Sequence, residues 1–355
     1  MKKHPKLTRT LALVLPLLVV IILLAVATPI LEPKYLTASP EGSLTAEYYA
    51  HVADTPHDVL FIGDCEVYES FIPAVLYEKY GISSYVRGSP QQLIWQSYYM
   101  LEDALRYETP KVVVFNVLSL KYGEPQNEAF NRMTLDGMVW SDAKWDAINA
   151  SMTEEENVLS YLLPWLRFHD RWSSLTEEDF IYAFKEKPTV SDSGYLMQTD
   201  IKPANDELEE GSPLIDYTLP ERAWDYLDKM RALCAHHGIA LVLIKAPTNT
   251  FRYWWYDQWD AQVVAYADKH GLDYYNMIPH QADMGLDFQT DTYDAGVHLN
   301  VYGAEKLSLW FGQILKDTYT LPDRREDKAF ADVWQTRVDT YYARKEQMTQ
   351  TKGGQ

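Results

Sequence analysis

Several residues able to carry out acyl transfer stand directly after predicted strands or just before the last predicted helix. Cys65 follows the first strand and can supply a thiolate nucleophile. Asn116 lies within the end of the third strand, and Asp294 and His298 precede the last helix. Ligands of open α/β sheets bind beyond the carboxyl ends of the strands, so we expect these side chains, with Gly88 after the second strand, to share one edge. A nucleophile, an acid–histidine pair and N–H donors are what an acyl-enzyme mechanism requires.

The elements that must hold these residues alternate between strands and helices. Strands are predicted where short apolar runs end in turn residues, and helices where apolar residues recur on one face. This alternation predicts an α/β fold, a parallel sheet with helices on both faces. The predicted strands are Asp58–Ile62, Ser84–Arg87, Lys111–Leu118, Ile239–Lys245 and Leu272–Asn276; the helices are Ser70–Tyr80, Gln91–Tyr107, 221–237, Gln258–His270 and Val301–Tyr319.

The α/β rhythm is interrupted once, and this sets the predicted domain boundaries. The α/β domain is expected over 57–319, with an insertion at about 119–220 that contains helices at Thr153–Trp165 and Thr176–Phe184. Residues 320–355 form a C-terminal helix, Asp327–Gln347 by its apolar spacing, and a frayed tail.

The N-terminus predicts a membrane anchor. Residues 1–10 are basic and contain no acid, and 11–28 form an apolar segment that can just cross a bilayer core of about 30 Å. The basic flank should stay in the cytoplasm, so the chain beyond a linker at 29–56 is expected outside the cell membrane. A cleaved signal peptide is the alternative, because Ala25-Val26-Ala27 is a possible cleavage site, and a buried core helix is the third possibility.

Composition excludes several functional classes. The 355 residues carry 32 Lys and Arg against 51 Asp and Glu, a net charge of −19, which argues against a nucleic-acid partner. Hydrophobic residues make up 47%, enough for a full core. Two cysteines exclude a disulfide-stapled scaffold, and Cys65 and Cys234 are predicted to be free thiols. No metal site is expected, because no further Cys or His has ligand spacing.

The ordered set of residues resembles the SGNH (GDSL-type) hydrolase superfamily, most of all its membrane-anchored, exported branch. The motifs are Gly63-Asp64-Cys65 after the first strand, the turn at Gly88, Asn116 at the third strand and the late Asp294…His298, so the resemblance covers about 57–118 and 221–319. It implies a flavodoxin-like three-layer sheet.

The same resemblance implies a role for each residue. Cys65 would be the nucleophile, His298 the general base and Asp294 the acid that orients it. The oxyanion hole would combine the Cys65 and Gly88 N–H groups with the Asn116 amide. This sequence departs from the family twice: Cys stands where Ser is usual, and the acid lies four residues before the histidine instead of three, which leaves Asp291 as a second candidate.

The implied function is an exported acyl esterase or O-acyltransferase that acts on cell-envelope carbohydrate without a cofactor, and a membrane partner that delivers an activated acyl donor is a further possibility. The alternative is a non-catalytic surface protein that uses the fold to bind carbohydrate or a partner.

Each site residue also has a purely structural interpretation. Cys65 can be a small buried residue, His298 a core or capping histidine, and Asn116 a strand-end hydrogen-bonding group. Gly88 and Asp294 can be turn residues. The aromatic residues Trp254, Trp255 and Tyr256 predict a platform for a sugar ring or acyl chain, or else core packing.

Overall fold

A computed structural model describes residues 5–32, 41–183, 185, 189–205, 212, 214–249 and 256–353. The chain forms two compact units. The first combines the N-terminal segment up to residue 40 with residues 154–188, and the second contains residues 41–153 and 189–355. The predicted insertion is therefore shared between the two units.

The second unit is built on a five-stranded parallel sheet, which confirms the predicted α/β class. Its strands are β1 Val59–Gly63, β2 Ser84–Gly88, β3 Val112–Asn116, β4 Ala240–Lys245 and β5 Asp273–Asn276. They lie in the order β2-β1-β3-β4-β5. From β1 the chain goes to the edge strand β2, and it then returns to the other side of β1 to form β3, β4 and the opposite edge strand β5. This order places the ends of β1 and β3 side by side at a switch point, where α/β folds bind ligands.

Side chains of the central strands alternate between two cores, one on each face of the sheet. Val59 and Phe61 of β1 belong to one buried cluster, whereas Leu60 and Ile62 belong to the other. The two-residue period of a strand produces this division, and burial on both faces explains why these strands read as unbroken apolar runs.

Helices cover both faces of the sheet. In the second unit they are α2 Ser43–Asp54, α3 Cys65–Tyr68, α4 Pro73–Tyr80, α5 Ile94–Ala104, α6 Glu128–Leu135, α7 Asp142–Ser151, α11 Glu221–His237, α12 Tyr256–His270, α13 Gln281–Met284, α14 Val301–Thr318 and α15 Lys328–Gly353. The helices of the first unit, which does not contain the sheet, are α1 Pro5–Leu31, α8 Val158–Leu162, α9 Trp165–Phe168 and α10 Glu177–Ala183. The helix expected over Thr153–Trp165 is broken because Pro164 lacks the N–H that a continuous helix needs.

The predicted linker at 29–56 is wrong over much of its described length. Helix α1 continues to Leu31, and residues 43–54 form α2. Tyr48 of α2 is fully buried, and its hydroxyl donates to Glu108 at 2.8 Å. The prolines and Gly42 gave the segment the composition of a linker, but the apolar face of α2 packs against the domain.

Helix α1 is the one described helix that is long and apolar enough to cross a membrane. Its window Val14–Leu31 has a mean hydropathy of 2.9, and only 6% of that window is buried. An uncleaved anchor and a signal sequence share these properties, and the exposure separates α1 from a buried core helix.

Candidate active site

The turn that presents Cys65 is tight and depends on glycine. Strand β1 ends at Gly63, Asp64 accepts a hydrogen bond from Glu66 N at 3.1 Å, and Cys65 is the first residue of α3. A Cβ at Gly63 would lie 2.6 Å from Val67 Cγ2 and 3.0 Å from Asn116 Cβ. Only glycine therefore allows this close strand-to-helix passage, which places the thiol at the sheet edge and leaves the Cys65 N–H without an acceptor inside its helix.

His298 is held by Asp294 through two hydrogen bonds. The Asp294 carboxylate contacts the ring Nδ1 at 2.6 Å and accepts from the backbone N–H of His298 at 2.8 Å. Ala295 and Gly296, between them, both have left-handed φ angles, +68° and +98°. These two residues absorb the extra position in the Asp-to-His spacing. Asp291, the second candidate, instead pairs with Lys306 at 2.6 Å.

Cys65 and His298 line the same cavity, and the interaction with His298 lowers the pKa of the Cys65 thiol. Because Asp294 occupies Nδ1, Nε2 is the ring nitrogen left to exchange a proton with a group in the cavity. Cys65, His298 and Asp294 thus lie together at one site, in the order that a nucleophile, a base and an orienting acid would require. The structure brings together the three residues that the sequence analysis placed in these roles.

The protonation of the pair follows from burial and its carboxylates. Burial raises the pKa of the Cys65 thiol, the hydrogen bond from His298 lowers it, and Asp64 and Glu66 raise it again. Burial lowers the pKa of His298, but the bonds to Asp294 and Cys65 outweigh it and raise that pKa to about 11. His298 is therefore favoured in its imidazolium form, and the imidazolium in turn favours the thiolate of Cys65.

A second carboxylate, Glu69, stands behind the histidine and was missed in the sequence. Its Oε2 lies 3.5 Å from His298 Nδ1, and its Oε1 accepts from the Tyr293 hydroxyl at 2.9 Å. Burial raises the pKa of Glu69 to about 7, against the lowering effect of His298. The spacing from Cys65, four residues along a helical turn, is the signal that could have identified it.

Asn116 lies within a buried network of charges. Its amide nitrogen donates to Asp64 Oδ1 at 3.1 Å and to Glu66 Oε2 at 3.0 Å, and its Oδ1 accepts from Ala246 N at 3.1 Å. Lys245 Nζ contacts both oxygens of Glu66 at 2.7 Å. Burial and the nearby Glu66 raise the pKa of Asp64 to about 6. Asn116, at the end of β3, thus links the segment that follows β1 to the segment that follows β4. To bind an oxyanion, the Asn116 amide would first have to break its hydrogen bonds to the two carboxylates.

A cavity of about 310 Å³ opens beside the thiol. Its walls combine the Cys65–His298 pair with charged and polar side chains from the ends of β1, β3 and β4 and from the turn after β2. The lining residues are Asp64, Cys65, Glu66, Gln91, Gln92, Leu118, Lys121, Tyr122, Lys245, Thr248, Val297 and His298.

Gly88 and Asn116 are not part of this lining. Gly88 pairs with Gly63 in the sheet, and a Cβ on Gly88 would lie 3.1 Å from Tyr68 in α3. Gly88 is therefore packed against the turn between β1 and α3 that presents Cys65. Gln91 takes the place nearer the cavity and has a left-handed φ of +49°. A non-glycine residue in that region is commonly found at functional sites.

The predicted aromatic platform is described only in part. Trp254 and Trp255 lie outside the described residues. The Tyr256 ring stacks on Trp259, and its hydroxyl accepts a hydrogen bond from Asn276. Tyr256 is therefore attached to the end of β5 and does not line the cavity beside Cys65.

Comparison with known proteins gives little. No family model matches the chain, and no curated protein matches it. One solved structure, described as a "putative acylhydrolase" from Bacteroides fragilis NCTC 9343, covers 76% of this chain and 95% of its own length, with 12% identity and a TM-score of 0.37. A similarity at that level supports no argument about this protein.

Proposed function

We propose that this protein is an acyl-transfer enzyme, an esterase or O-acyltransferase, that forms a thioester on Cys65. The observation that supports the proposal is that Cys65 and His298 line one cavity, while Asp294 is hydrogen-bonded to the His298 ring at 2.6 Å. A histidine placed between a thiol and a carboxylate can exchange protons with the reacting atoms on both sides of an acyl-enzyme intermediate.

The acylation step starts from the thiolate–imidazolium pair. The Cys65 sulfur adds to the carbonyl carbon of an ester, and the tetrahedral intermediate then breaks its C–O bond. The departing oxygen takes the proton from His298 Nε2, which yields the free alcohol, a thioester on Cys65 and a neutral imidazole.

Deacylation reverses the proton movement. Neutral His298 takes a proton from water or from an acceptor hydroxyl, whose oxygen attacks the thioester carbonyl. The C–S bond breaks and regenerates the thiolate and the imidazolium, so protons and charge balance over the cycle. The carboxylate of Asp294 fixes the ring and favours the imidazolium at both stages.

The oxyanion donors remain proposals. The Cys65 N–H is the best supported, because it is the first N–H of α3 and follows the nucleophile turn. The Gly88 N–H and the Asn116 amide complete the predicted set. If Asn116 takes part, Asn116→Ala should slow acylation about 10²–10³-fold.

Substrate and compartment are also proposals. A cell-envelope carbohydrate as acyl donor or acceptor, an external location and an acyl-donor partner in the membrane depend on the family resemblance and on the N-terminal charge pattern. Among cavity residues, Gln91, Lys121 and Tyr122 could donate hydrogen bonds to hydroxyl or carboxyl groups of a substrate.

The test uses p-nitrophenyl acetate and the full chain in detergent. Wild type should release p-nitrophenolate in a burst and gain one acetyl group by intact mass. Cys65→Ala should lose both signals, and Cys65→Ser should keep part of the activity, because the backbone donors and His298 are unchanged. Cys234→Ala, which removes the other thiol, is the matched control and should behave as wild type. Equal acetylation of wild type and Cys65→Ala would refute the proposal.

Binding without catalysis is the second candidate. It is favoured by the raised pKa of the buried thiol and by the engagement of the Asn116 amide with two carboxylates. In that case Cys65→Ala would retain full function in cells, and no acyl-enzyme would form at any pH.

A further inference from the structure

The first unit carries a group of short elements around one end of the apolar helix α1. Helices α9 and α10 and the 3₁₀ turn His169–Ser174 contact α1, and α8 contacts α9. We use the name collar for residues 158–183, which contain all four elements.

The collar packs at the C-terminal end of α1. Residues 14–23 of the helix are exposed, its last turns are partly covered, and Leu31 is buried. The Arg171 guanidinium donates to the Leu31 carbonyl at 2.5 Å and to Asp179 at 3.1 Å. The buried Asp179 carboxylate thus pairs with Arg171, and the bond to the Leu31 carbonyl fixes the level of the collar along the helix.

The collar exposes several large apolar side chains alongside polar residues such as His169, Asp170 and Ser173. Trp172 is 73% exposed, Ile181 62% and Phe180 49%. Leu159, Leu162 and Leu163 on α8 are also exposed. Six large apolar side chains within 23 residues exceed the scattered exposed residues usual on a soluble surface, and such a patch marks a contact with a partner or a membrane.

We propose that the collar lies in the interfacial layer of the bilayer that α1 spans, with Trp172, Phe180 and Ile181 inserted among the lipids. The window Val14–Leu31 is about 27 Å long as a helix, close to the bilayer core of about 30 Å, so its last turn lies where the hydrocarbon meets the headgroups. Elements packed on that turn share its depth. Tryptophan and aliphatic side chains on short amphipathic segments favour this layer.

The charges of the collar agree with this placement. Asp179 is buried and paired with Arg171, so the interior of the collar carries no unbalanced charge. The exposed titratable side chains, His169, Asp170, Glu177 and Glu178, can stay at headgroup level. The occupant is therefore a lipid surface, since a second copy of the chain would not explain why the patch surrounds the end of the apolar span.

The experiment measures the depth of nitroxide labels in the full chain, reconstituted into phosphatidylcholine–phosphatidylglycerol vesicles. In a background of Cys65→Ala and Cys234→Ala, single cysteines replace Trp172 or Ile181. Trp145→Cys is the matched control, because Trp145 is an exposed tryptophan (42%) in the other unit. Relaxation by oxygen and by a water-soluble nickel complex gives the depth of each label.

Labels at 172 and 181 should be relaxed more by oxygen than by the nickel complex, and the label at 145 should show the opposite. Equal access of the nickel complex to all three labels would overturn the proposal. Spin–spin broadening at 172 or 181, which would indicate contact with a second copy, would overturn it as well.

Discussion

Lys245→Met removes the one cation among the described residues that touches Glu66 in the buried network beside Cys65. Lys245 is 1% exposed in its side chain and Glu66 8%, and the ammonium contacts both carboxylate oxygens at 2.7 Å. Methionine preserves most of the apolar stem, so the change is mainly one of charge. Glu66 would keep only the Asn116 amide as a described side-chain partner, with the Asp64 carboxyl sharing that same amide.

The expected cost follows from this geometry. Breaking a buried ion pair by removing one partner costs about 3–5 kcal/mol of unfolding free energy, because the remaining charge is buried without compensation. Replacing both partners by neutral groups restores much of the stability, so Glu66→Gln with Lys245→Met should recover most of the loss.

The assay is urea unfolding of the full chain in detergent at pH 7, followed by tryptophan fluorescence. Arg231→Met is the matched control, because Arg231 pairs with Asp228 at 3.1 Å on an exposed helix surface, where such pairs contribute about 0–1 kcal/mol. A loss for Lys245→Met no larger than the control, or no recovery when Glu66→Gln is added, would refute the reasoning.

Three further outcomes follow from the site. The pKa of Glu69, about 7, lies above its ordinary value of 4.5, so ionisation of this carboxyl destabilises the folded chain. As pH rises from about 4.5 through 7, wild type should therefore lose about 3 kcal/mol of unfolding free energy relative to Glu69→Gln, measured by urea unfolding. A difference between the two proteins that does not change with pH would contradict the burial argument. The pKa of His298 is raised from 6.5 to about 11, so the stability that its protonated ring contributes is complete below about pH 6.5 and is lost towards pH 11. The thermal stability of His298→Gln should therefore approach that of wild type between pH 7 and 10. If the stabilities of the two proteins stay the same distance apart over this pH range, the histidine is not held as an imidazolium. Gly63→Ala should lower the unfolding free energy by about 1–3 kcal/mol, because its Cβ would lie 2.6 Å from Val67 Cγ2. Adding Val67→Ala should recover part of the lost stability. If it recovers none, the Gly63 turn is disrupted for another reason.

The fold class could be predicted from local patterns. The apolar runs around Phe61, Val114 and Leu243 are buried on both faces, and a strand in the middle of a three-layer sheet needs that composition. The linker was the principal error, because the amphipathic face of α2 is visible only once the surface it covers is known.

The chemical groups of the candidate site could also be predicted, because parallel strands bring their carboxyl ends to one edge whatever the loops do. The chain order alone placed Cys65 and His298 on that edge. It left Asp294 and Asp291 as competing acids, and the left-handed conformation of Ala295 decided between them by turning the Asp294 carboxylate back onto the ring.

Tertiary structure decided what each group touches. Nothing in the sequence indicates that the Asn116 amide is held by Asp64 and Glu66, since these contacts join residues about 50 positions apart. Glu69 acquires its raised pKa only through burial behind His298. Residue types and the order of strands are local properties and can be read along the chain, whereas partners, burial and protonation depend on distances that exist only after the sheet and its loops have packed.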